Sequence, residues 1–316
     1  MVVPLSAFVL AAAMLPAQEV ALTFDDLPTH PQIIESIVKS LKDAKAPKVY
    51  GFVNGRKSDE LGALEFWTAA GFRLGSHGYS HLDLAETPLR MFTRNIKANE
   101  PVLRSLVPNE DQWHWFRYPF LEEGETLRKK RAVAEFLKEQ HYRVAEVTLD
   151  FEDFRWNNPY LRCLARGNTK GIEWLRSSYL TLAADRIELG QKMSRRLYGR
   201  DIKHIMLLHV GAFAPVMLPD LLNLLKQKHF KLITLDDAAS DPAYKIDHQW
   251  TTRHGGDFLT LSMLYRHLEI PPHLLYPKAQ LHSVCTTRNG AIPPDQAAKP
   301  SLPGKRRKIR QSTPTP

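Results

Sequence analysis

Two adjacent aspartates and two histidines are the residues of this sequence whose types and spacing could do chemistry together. Asp25 and Asp26 lie in the strand-forming run Val20–Leu27, and His77 and His81 follow about fifty residues later. Two neutral imidazoles and one carboxylate can bind a divalent metal such as zinc and leave a fourth position for water. Because successive residues of a strand point in different directions, we expect one aspartate to bind the metal and the other to act as a base. The pattern predicts a metal-assisted hydrolytic site.

Three further residues with catalytic chemistry lie at or just after the ends of predicted strands. Arg117 can hold a carboxylate through a bidentate contact, although an ordinary ion pair at a strand end would use the same residue. His209 follows an apolar strand, where it can be a general acid or a buried core histidine. Asp153 can orient that imidazole or stabilise its charge. Adjacent aspartates can also be helix caps, and we interpret Asp236 and Asp237 after the last predicted strand as such a structural pair.

Seven strand-like runs alternate with amphipathic helical patterns along most of the chain. The predicted strands are Val20–Phe24, Val49–Val53, Arg73–Gly75, Trp115–Arg117, Arg143–Leu149, His204–Leu208 and Lys231–Thr234. The predicted helices are Ile33–Ala44, Glu60–Ala70, Pro88–Leu106, Glu125–Gln140, Ile172–Leu197, Pro219–Lys228 and Leu259–Leu268. This alternation predicts a parallel sheet, and the lack of a dinucleotide-binding glycine loop favours a barrel over an open sheet. In a parallel α/β barrel the C-terminal strand ends meet, which would bring the residues above together.

The two ends of the chain differ in composition from its middle. Residues 1–18 contain an apolar run that ends near Ala17, which predicts a secretory signal; a buried first helix or strand is the alternative. Residues 301–316 carry five of the positive charges behind a net charge of +9 and are rich in Pro, Ser and Thr. We interpret them as a disordered basic tail rather than as a contact to an anionic polymer or nucleic acid. We expect an exported protein without a transmembrane segment, in which residues 246–300 form an appended extension.

The two cysteines of the chain, Cys163 and Cys285, lie far apart in the sequence. They could form a disulfide in an oxidising compartment, but nothing in the sequence requires one. We therefore expect two free thiols.

Five short motifs follow one another along the chain in a fixed order. They are Thr23–Asp26 (TFDD), Ser76–His81 (SHGYSH), Arg117–Phe120 (RYPF), Asp150–Asp153 (DFED) and Leu207–His209 (LLH). In these motifs the chain resembles the polysaccharide deacetylases, the NodB-homology enzymes of carbohydrate esterase family 4, over about residues 19–245. The resemblance implies a distorted (β/α)7 barrel that removes N-acetyl or O-acetyl groups from sugars with the help of a metal.

The resemblance also implies a catalytic role for individual motif residues. Asp25 would be the general base, with Arg117 holding it in position. His209 would be the general acid, and Asp153 would tune it. One divalent ion, Zn²⁺ or alternatively Co²⁺, Ni²⁺ or Mn²⁺, would be bound by Asp26, His77 and His81.

For the substrate, the resemblance implies an acetylated carbohydrate. The backbone N–H near Phe120 would help to form the oxyanion site, and Leu207 would line the pocket for the acetyl methyl group. Trp113, Trp115 and Trp156 lie close enough to the motifs to be candidates for stacking on a sugar.

Some features depart from short members of the family or leave the function open. Phe154 stands where the fourth motif has its usual Trp. The predicted helix Ile172–Leu197 is an insertion, which we expect to reshape one wall of the cleft. Glu122 and Glu123 are expected in a solvated loop at the rim of the cleft.

Hydrolysis of a non-sugar amide is an alternative function. A non-catalytic carbohydrate-binding descendant is another, but that protein would have lost a ligand or the base, and neither is missing here.

Overall fold

The computed structural model describes residues 18–109 and 112–286. Within them, seven parallel strands form one sheet in the order β5-β4-β3-β2-β1-β6, and β7 pairs with the beginning of β1. The strands are β1 Gln18–Leu27, β2 Tyr50–Val53, β3 Arg73–Ser76, β4 Trp115–Phe116, β5 Arg143–Val144, β6 His204–His209 and β7 Phe230–Ile233. All seven predicted strands are confirmed, although β4 and β5 are shorter than expected.

The sheet curls back on itself after β5. The N–H groups of Thr148 and Leu149 donate to the carbonyl of Ile205 at 2.9 and 3.1 Å, and the Leu207 N–H donates to the Leu149 carbonyl at 3.0 Å. Because β6 is also paired with β1, the segment that leaves β5 returns to the other end of the strand order. The predicted distorted (β/α)7 barrel is therefore confirmed.

Helices connect the strands and cover the outside of the barrel. They are α1 Pro31–Asp43, α2 Leu61–Ala69, α3 Leu89–Leu106, α4 Leu127–Glu139, α5 Asn157–Ala165, α6 Thr169–Tyr198, α7 Ala214–Gln227, α8 Leu235–Ala239, α9 Phe258–Tyr265 and α10 Lys278–Ser283. The sequence patterns did not predict α5, α8 and α10, which have 9, 5 and 6 residues. In the part of the chain that the structure describes, none of the helices has the length and apolarity needed to cross a membrane.

The second aspartate pair lies at a helix N-terminus as expected, but neither aspartate is the capping residue that was predicted. Asp236 and Asp237 lie in the first turn of α8, where Thr234 is the capping residue and accepts the N–H of Asp237 at 3.0 Å. Asp236 forms an ion pair with Arg143 at 2.5 Å. Acidic side chains are favourable at this end of a helix because of the helix dipole.

The first strand has two different faces, and this difference positions the first aspartate. Val20, Leu22 and Phe24 belong to the large apolar core shared with the helices. Ala21 belongs instead to the cluster inside the barrel, with Phe52, Trp115 and Ile205 among its members. Because side chains alternate along a strand, Thr23 and Asp25 continue the inward face of Ala21.

Residues 246–286 pack against the barrel. Phe258, Leu259 and Met263 of α9 form an apolar cluster with Leu189, Met193 and Leu197 of α6. The N–H of Phe258 donates to the carbonyl of Val147 at 2.7 Å, just after β5. The predicted leader lies outside the described residues apart from Gln18, which begins β1, and so do residues 287–316 with the predicted tail.

The expectation of two free thiols is wrong. Cys163 of α5 and Cys285, which follows α10, form a disulfide with an S–S distance of 2.06 Å. The two residues are 122 positions apart, so only the packing of the last segment against α5 brings them together. That packing is apolar, since Leu281 and Val284 are buried in the same core as Cys163.

Candidate metal centre and active site

A cavity of about 460 Å³ lies at the C-terminal ends of the strands, where the loops of the barrel converge. Seven of the sequence-predicted site residues line it: Asp25, Asp26, His77, His81, Phe120, Leu207 and His209. Two others stand behind these residues, Arg117 behind Asp25 and Asp153 behind His209.

Asp26, His77 and His81 form a cluster whose possible ligand atoms all lie within 4.8 Å of one another. The Nε2 atom of His81 is 3.6 Å from Oδ1 of Asp26. Ligand atoms around a tetrahedral zinc ion at its usual bond lengths lie roughly 3.4 Å apart, so this separation suits such an ion. The donor set of two imidazoles and one carboxylate also suits it.

Hydrogen bonding fixes which nitrogen of His77 is free. Its Nδ1 lies 2.9 Å from the carbonyl oxygen of Arg117. A carbonyl can only accept, so Nδ1 carries a proton and Nε2 is the ring atom left to bind a metal. Orientation of a histidine ligand through its other ring nitrogen is usual at metal centres.

The charge states of the other two members suit metal binding as well. Burial is the first cause that lowers the pKa of His81, to about 4, and His77 lowers it further. Its imidazole is therefore neutral at physiological pH. Burial alone would raise the pKa of Asp26, but the nearby His77, Lys57 and His81 lower it, which leaves a carboxylate.

The two aspartates diverge because the backbone turns between them. Asp25 is only 2% exposed and lies beside Arg117 inside the barrel. Asp26 has a left-handed backbone, with φ of 68°, which ends the alternation of the strand and carries its carboxylate towards His81. A non-glycine residue in this conformation is uncommon and often marks a functional site.

Arg117 holds Asp25 from inside the barrel. Its Nη1 lies 3.2 and 3.3 Å from the two carboxylate oxygens, its Nη2 donates to Thr23 Oγ1 at 3.0 Å, and its Nε donates to the Ala145 carbonyl at 2.7 Å. The predicted bidentate contact is therefore wrong in detail, because one nitrogen serves both oxygens while the others bind neighbouring groups. Asp25 Oδ2 is also 3.6 Å from Nε2 of His77, so this carboxylate lies directly beside the metal cluster.

Asp153 binds His209 at two points. One carboxylate oxygen is 2.7 Å from Nδ1 of the ring, and the other accepts the main-chain N–H of His209 at 2.9 Å. Burial alone would lower the pKa of His209, but the charge and hydrogen bond of Asp153 raise it to about 9. The imidazole is therefore protonated at neutral pH, and its Nδ1 proton is directed to Asp153.

The tryptophan prediction is wrong. Trp156 is 0% exposed, lies among core residues and donates its Nε1 proton to Ser178 at 3.0 Å, so it cannot contact a molecule in the cavity. Trp113 and Trp115 are buried too. The exposed aromatic rings at the cavity are those of Phe120 and Phe154, which are 56% and 43% exposed.

These two phenylalanines lie beside two different histidines of the site, His81 and His209. The ring of Phe120 is 4.5 Å from that of His81, and the ring of Phe154 is 4.9 Å from that of His209. Phe154 therefore occupies a position at the cavity although it departs from the usual residue of the fourth motif.

The sequence assigned no role to seven further lining residues, which are Leu121, Asp150, Glu152, Arg155, His254, Gly256 and Asp257. Asp150 had a signal, because it begins the fourth motif; burial raises its pKa to about 6. The segment 254–257 had none, since it lies in a low-periodicity region with no motif. The expectation that the insertion helix reshapes a wall is wrong, because no residue of α6 lines this cavity.

The expectation of a solvated Glu122 and Glu123 is also wrong. Glu122 is 1% exposed, and its carboxylate accepts main-chain N–H groups of Gly124 and Gly255. Glu123 is partly buried and forms an ion pair with Lys130 at 2.8 Å. Both side chains are therefore held within the fold.

Comparison with known proteins agrees with this architecture. Residues 13–138 match the family model described as polysaccharide deacetylase. Comparison with curated protein sequences gives no match.

Solved structures with a similar fold include the chitin deacetylase from Colletotrichum lindemuthianum, at 20% identity over 76% of this chain and 93% of that chain, with a TM-score of 0.51. A peptidoglycan N-acetylglucosamine deacetylase is 18% identical over 70% of this chain and 87% of its own, with a TM-score of 0.51. A pseudoenzyme of carbohydrate esterase family 4 from Bacillus anthracis is 15% identical over 71% of this chain and 66% of its own, with a TM-score of 0.50. At these identities the structures establish a common fold. Residues 13–138 are thus similar to the polysaccharide deacetylase family, and the chain shares its fold with these solved structures.

Proposed function

We propose that this protein is a metal-dependent hydrolase that removes acetyl groups from an N-acetylated oligosaccharide or polysaccharide. The observation that carries the proposal is that Asp25, held by Arg117, and His209, held by Asp153, line the same cavity as a three-ligand cluster. One protein of similar structure is described as a pseudoenzyme, so membership of the family does not by itself imply activity. In this chain the candidate base, acid and ligands are all present in one cavity.

Asp26, His77 and His81 would hold the metal ion, for which we propose Zn²⁺, with Co²⁺, Ni²⁺ or Mn²⁺ as alternatives. The spacing of the ligand atoms and the neutral imidazole of His81 support this assignment. When bound, such an ion polarises a carbonyl and activates water at neutral pH.

Asp25 is the proposed general base, which accepts a proton from the attacking water. Its carboxylate lies next to His77 at 3.6 Å, and Arg117 holds it from behind. Because Arg117 is itself fixed by Thr23 and the Ala145 carbonyl, the carboxylate has little freedom to move away from the reacting group.

His209 is the proposed general acid, which donates a proton to the leaving amine nitrogen. Its raised pKa of about 9 keeps the imidazole protonated at neutral pH before the amine departs. The hydrogen bond from Nδ1 to Asp153 fixes the ring, which leaves Nε2 to donate.

The turn after β4 supplies a donor for the oxyanion. The N–H groups of Leu121 and Glu122 donate to the carbonyls of Tyr118 and Pro119, within the turn itself. We assign the N–H of Phe120 to the developing negative charge on the acetyl oxygen. Leu207, an apolar residue of the cavity wall, is assigned to the acetyl methyl group.

A carbohydrate substrate is supported by the two exposed rings of Phe120 and Phe154 at the cavity. Flat aromatic surfaces are suited to packing against the apolar faces of sugar rings. The chitin and peptidoglycan N-acetylglucosamine deacetylases among the similar structures are named for N-acetylated sugars. We therefore propose such a sugar as the acetylated unit.

We also propose that the protein is exported. The predicted signal within residues 1–18 and the disulfide between Cys163 and Cys285 support this location. Disulfides persist in oxidising compartments and are rare in the cytosol.

Acetate release from chitooligosaccharides, peptidoglycan and acetylxylan, with and without a chelator, tests the proposal. We expect release from at least one N-acetylated substrate, its loss with chelator and its recovery when Zn²⁺ is added back. Release that is unaffected by chelation would contradict the metal mechanism. A simple N-acetylated amide without a sugar serves as the control, since preference for it would favour the alternative amide hydrolase.

A further inference from the structure

The C-terminal extension forms part of the wall of the candidate active site. His254, Gly256 and Asp257 line the same cavity as the metal cluster, although they follow His81 by more than 170 positions. His254 is exposed and accessible from the cavity. Asp257 caps α9 by accepting the N–H of Thr260 at 3.0 Å, which anchors the end of this segment.

Glu122 joins this segment to the loop that carries Phe120. One carboxylate oxygen accepts the N–H of Gly124 at 2.6 Å, and the other accepts the N–H of Gly255 at 3.0 Å. The side chain is 1% exposed, so both hydrogen bonds are shielded from water. A buried carboxylate that binds two separate loops holds them in one relative position, and charge-assisted hydrogen bonds of this kind are the stronger ones.

The two loops approach so closely that a side chain does not fit between them. Gly255 has a left-handed backbone with φ of 62°, and a Cβ atom there would overlap the carbonyl oxygen of Phe120. Phe120 and Leu121 themselves have left-handed backbones, with φ of 59° and 52°. Such conformations persist only where the surrounding structure holds them, and here the surroundings include Gly255 and Glu122.

We propose that Glu122 is a positioning residue that clamps the segment 254–257 onto the Phe120 loop, so that the C-terminal extension determines how tightly the sugar is bound. This inference rests on the proposed function. The clamp acts on the substrate side of the cavity, because neither Glu122 nor the segment contains the proposed base, acid or metal ligands. Because the clamped loop carries both the exposed ring of Phe120 and the N–H assigned to the oxyanion, loosening it should raise KM and also lower kcat.

Two glycine variants provide a matched test. Gly255→Ala and Gly167→Ala both place a side chain at a left-handed position, with φ of 62° and 60°, but only the first meets neighbouring atoms, since Gly167 faces open space. We expect Gly255→Ala to raise KM for the oligosaccharide about tenfold and to lower kcat, whereas Gly167→Ala leaves both unchanged. Equal KM values in the two variants would overturn the proposal.

Glu122→Gln and His254→Ala test the clamp and the wall separately. Glutamine keeps the shape but has one acceptor oxygen, so one of the two N–H groups loses its partner, and KM should rise about tenfold. His254→Ala removes an exposed side chain and should leave the fold intact while raising KM. Wild-type KM values in both variants would contradict the assignment.

Amide hydrogen exchange tests the clamp without any substrate. In Glu122→Gln, exchange at Gly124 and within residues 254–257 should become faster than in the wild type, while exchange in α1 should not change. If the wild-type protein releases no acetate from any sugar, the proposed function fails, and this measurement still decides whether the clamp exists. Unchanged exchange in residues 254–257 would overturn the clamp even in an active enzyme.

Discussion

Asp25 and His209 are paired residues at the C-terminal ends of the neighbouring parallel strands β1 and β6. Neighbouring strands lie about 4.8 Å apart, so the backbone register alone brings the two side chains to the same side of the cavity. Each is fixed by a buried partner, Asp25 by Arg117 and His209 by Asp153. The proposed base and acid are therefore brought together by the register of the sheet, and the residues that hold them come from other segments of the barrel.

Asp25→Asn should abolish turnover while metal binding is retained. The amide cannot accept a proton, and loss of a general base lowers kcat about 100-fold to 10,000-fold. Acetate release gives kcat, and elemental analysis of the purified variant gives the metal content. Wild-type activity in this variant would refute the assignment of Asp25, and Asp236→Asn in the structural pair is the control.

His77→Ala should abolish stoichiometric metal binding. The variant keeps two of the three ligands, and the Arg117 carbonyl loses the donor that oriented the ring. Titration calorimetry with Zn²⁺ measures the affinity. The control is His30→Ala, which removes an exposed histidine outside the cavity. Equal affinities in the two variants would exclude His77 as a ligand.

The activity should be lost at alkaline pH as His209 loses its proton. Its pKa is raised to about 9, so the imidazole is protonated below that value and neutral above it. Asp153→Asn removes the charge that raises the pKa, so the alkaline limb of kcat/KM should move to lower pH. A profile measured from pH 5 to 10 checks both statements, and an unmoved alkaline limb in the variant would contradict the role of Asp153.

The same pair should make stability depend on pH. The folded-state pKa of His209 lies above the ordinary histidine value of about 6.5. The ion pair of His209 with Asp153 therefore contributes its full stabilisation below about pH 6.5. The contribution decreases as the pH rises through about 9. Urea denaturation of the wild type and Asp153→Asn at several pH values should show a difference between them that shrinks at high pH.

Loss of the disulfide should destabilise the fold. Replacing both Cys163 and Cys285 by Ala should lower the free energy of unfolding by about 2–5 kcal/mol, because the unfolded chain is no longer cross-linked. Urea denaturation with and without reductant measures the effect, and reductant should change the wild type but not the variant. Identical midpoints for the oxidised wild type and the variant would show that the bond contributes nothing to stability.

Phe154→Ala should weaken binding of an oligosaccharide. An aromatic contact contributes about 0.5–1.5 kcal/mol, which corresponds to a rise in KM of roughly twofold to tenfold. Phe66→Ala is the matched control, because Phe66 is similarly exposed but lies on α2 outside the cavity. A KM that changes equally in both variants would argue against stacking by Phe154.

The elements of the barrel and the motif residues were predictable from local patterns. Alternating apolar side chains identify β1, and the adjacent polar residues at strand ends identify Asp25, Asp26 and His209 because parallel strands end at one edge. Placement of Asp25 on the inward face also follows from a period of two beginning at Ala21. The turn at Asp26 was not predictable, since its left-handed backbone depends on the contacts around it.

Residues whose roles depend on distant partners were predicted poorly. Trp156 was expected at the substrate and is buried in the core, because its distance from a motif in sequence says nothing about the direction of its side chain. Glu122 was expected in solvent and is buried, because its partner Gly255 lies more than 130 positions away.

By itself, the sequence determined the succession of strands and helices and the residue types that stand at the strand ends. These are local properties, governed by the periodicity of apolar side chains and by backbone preferences. Only the tertiary structure decided that Cys163 meets Cys285 and that the segment 254–257 closes the cavity against the Phe120 loop. Those contacts join residues far apart in the chain, and they form because burial of apolar surface in the folded state brings the segments together.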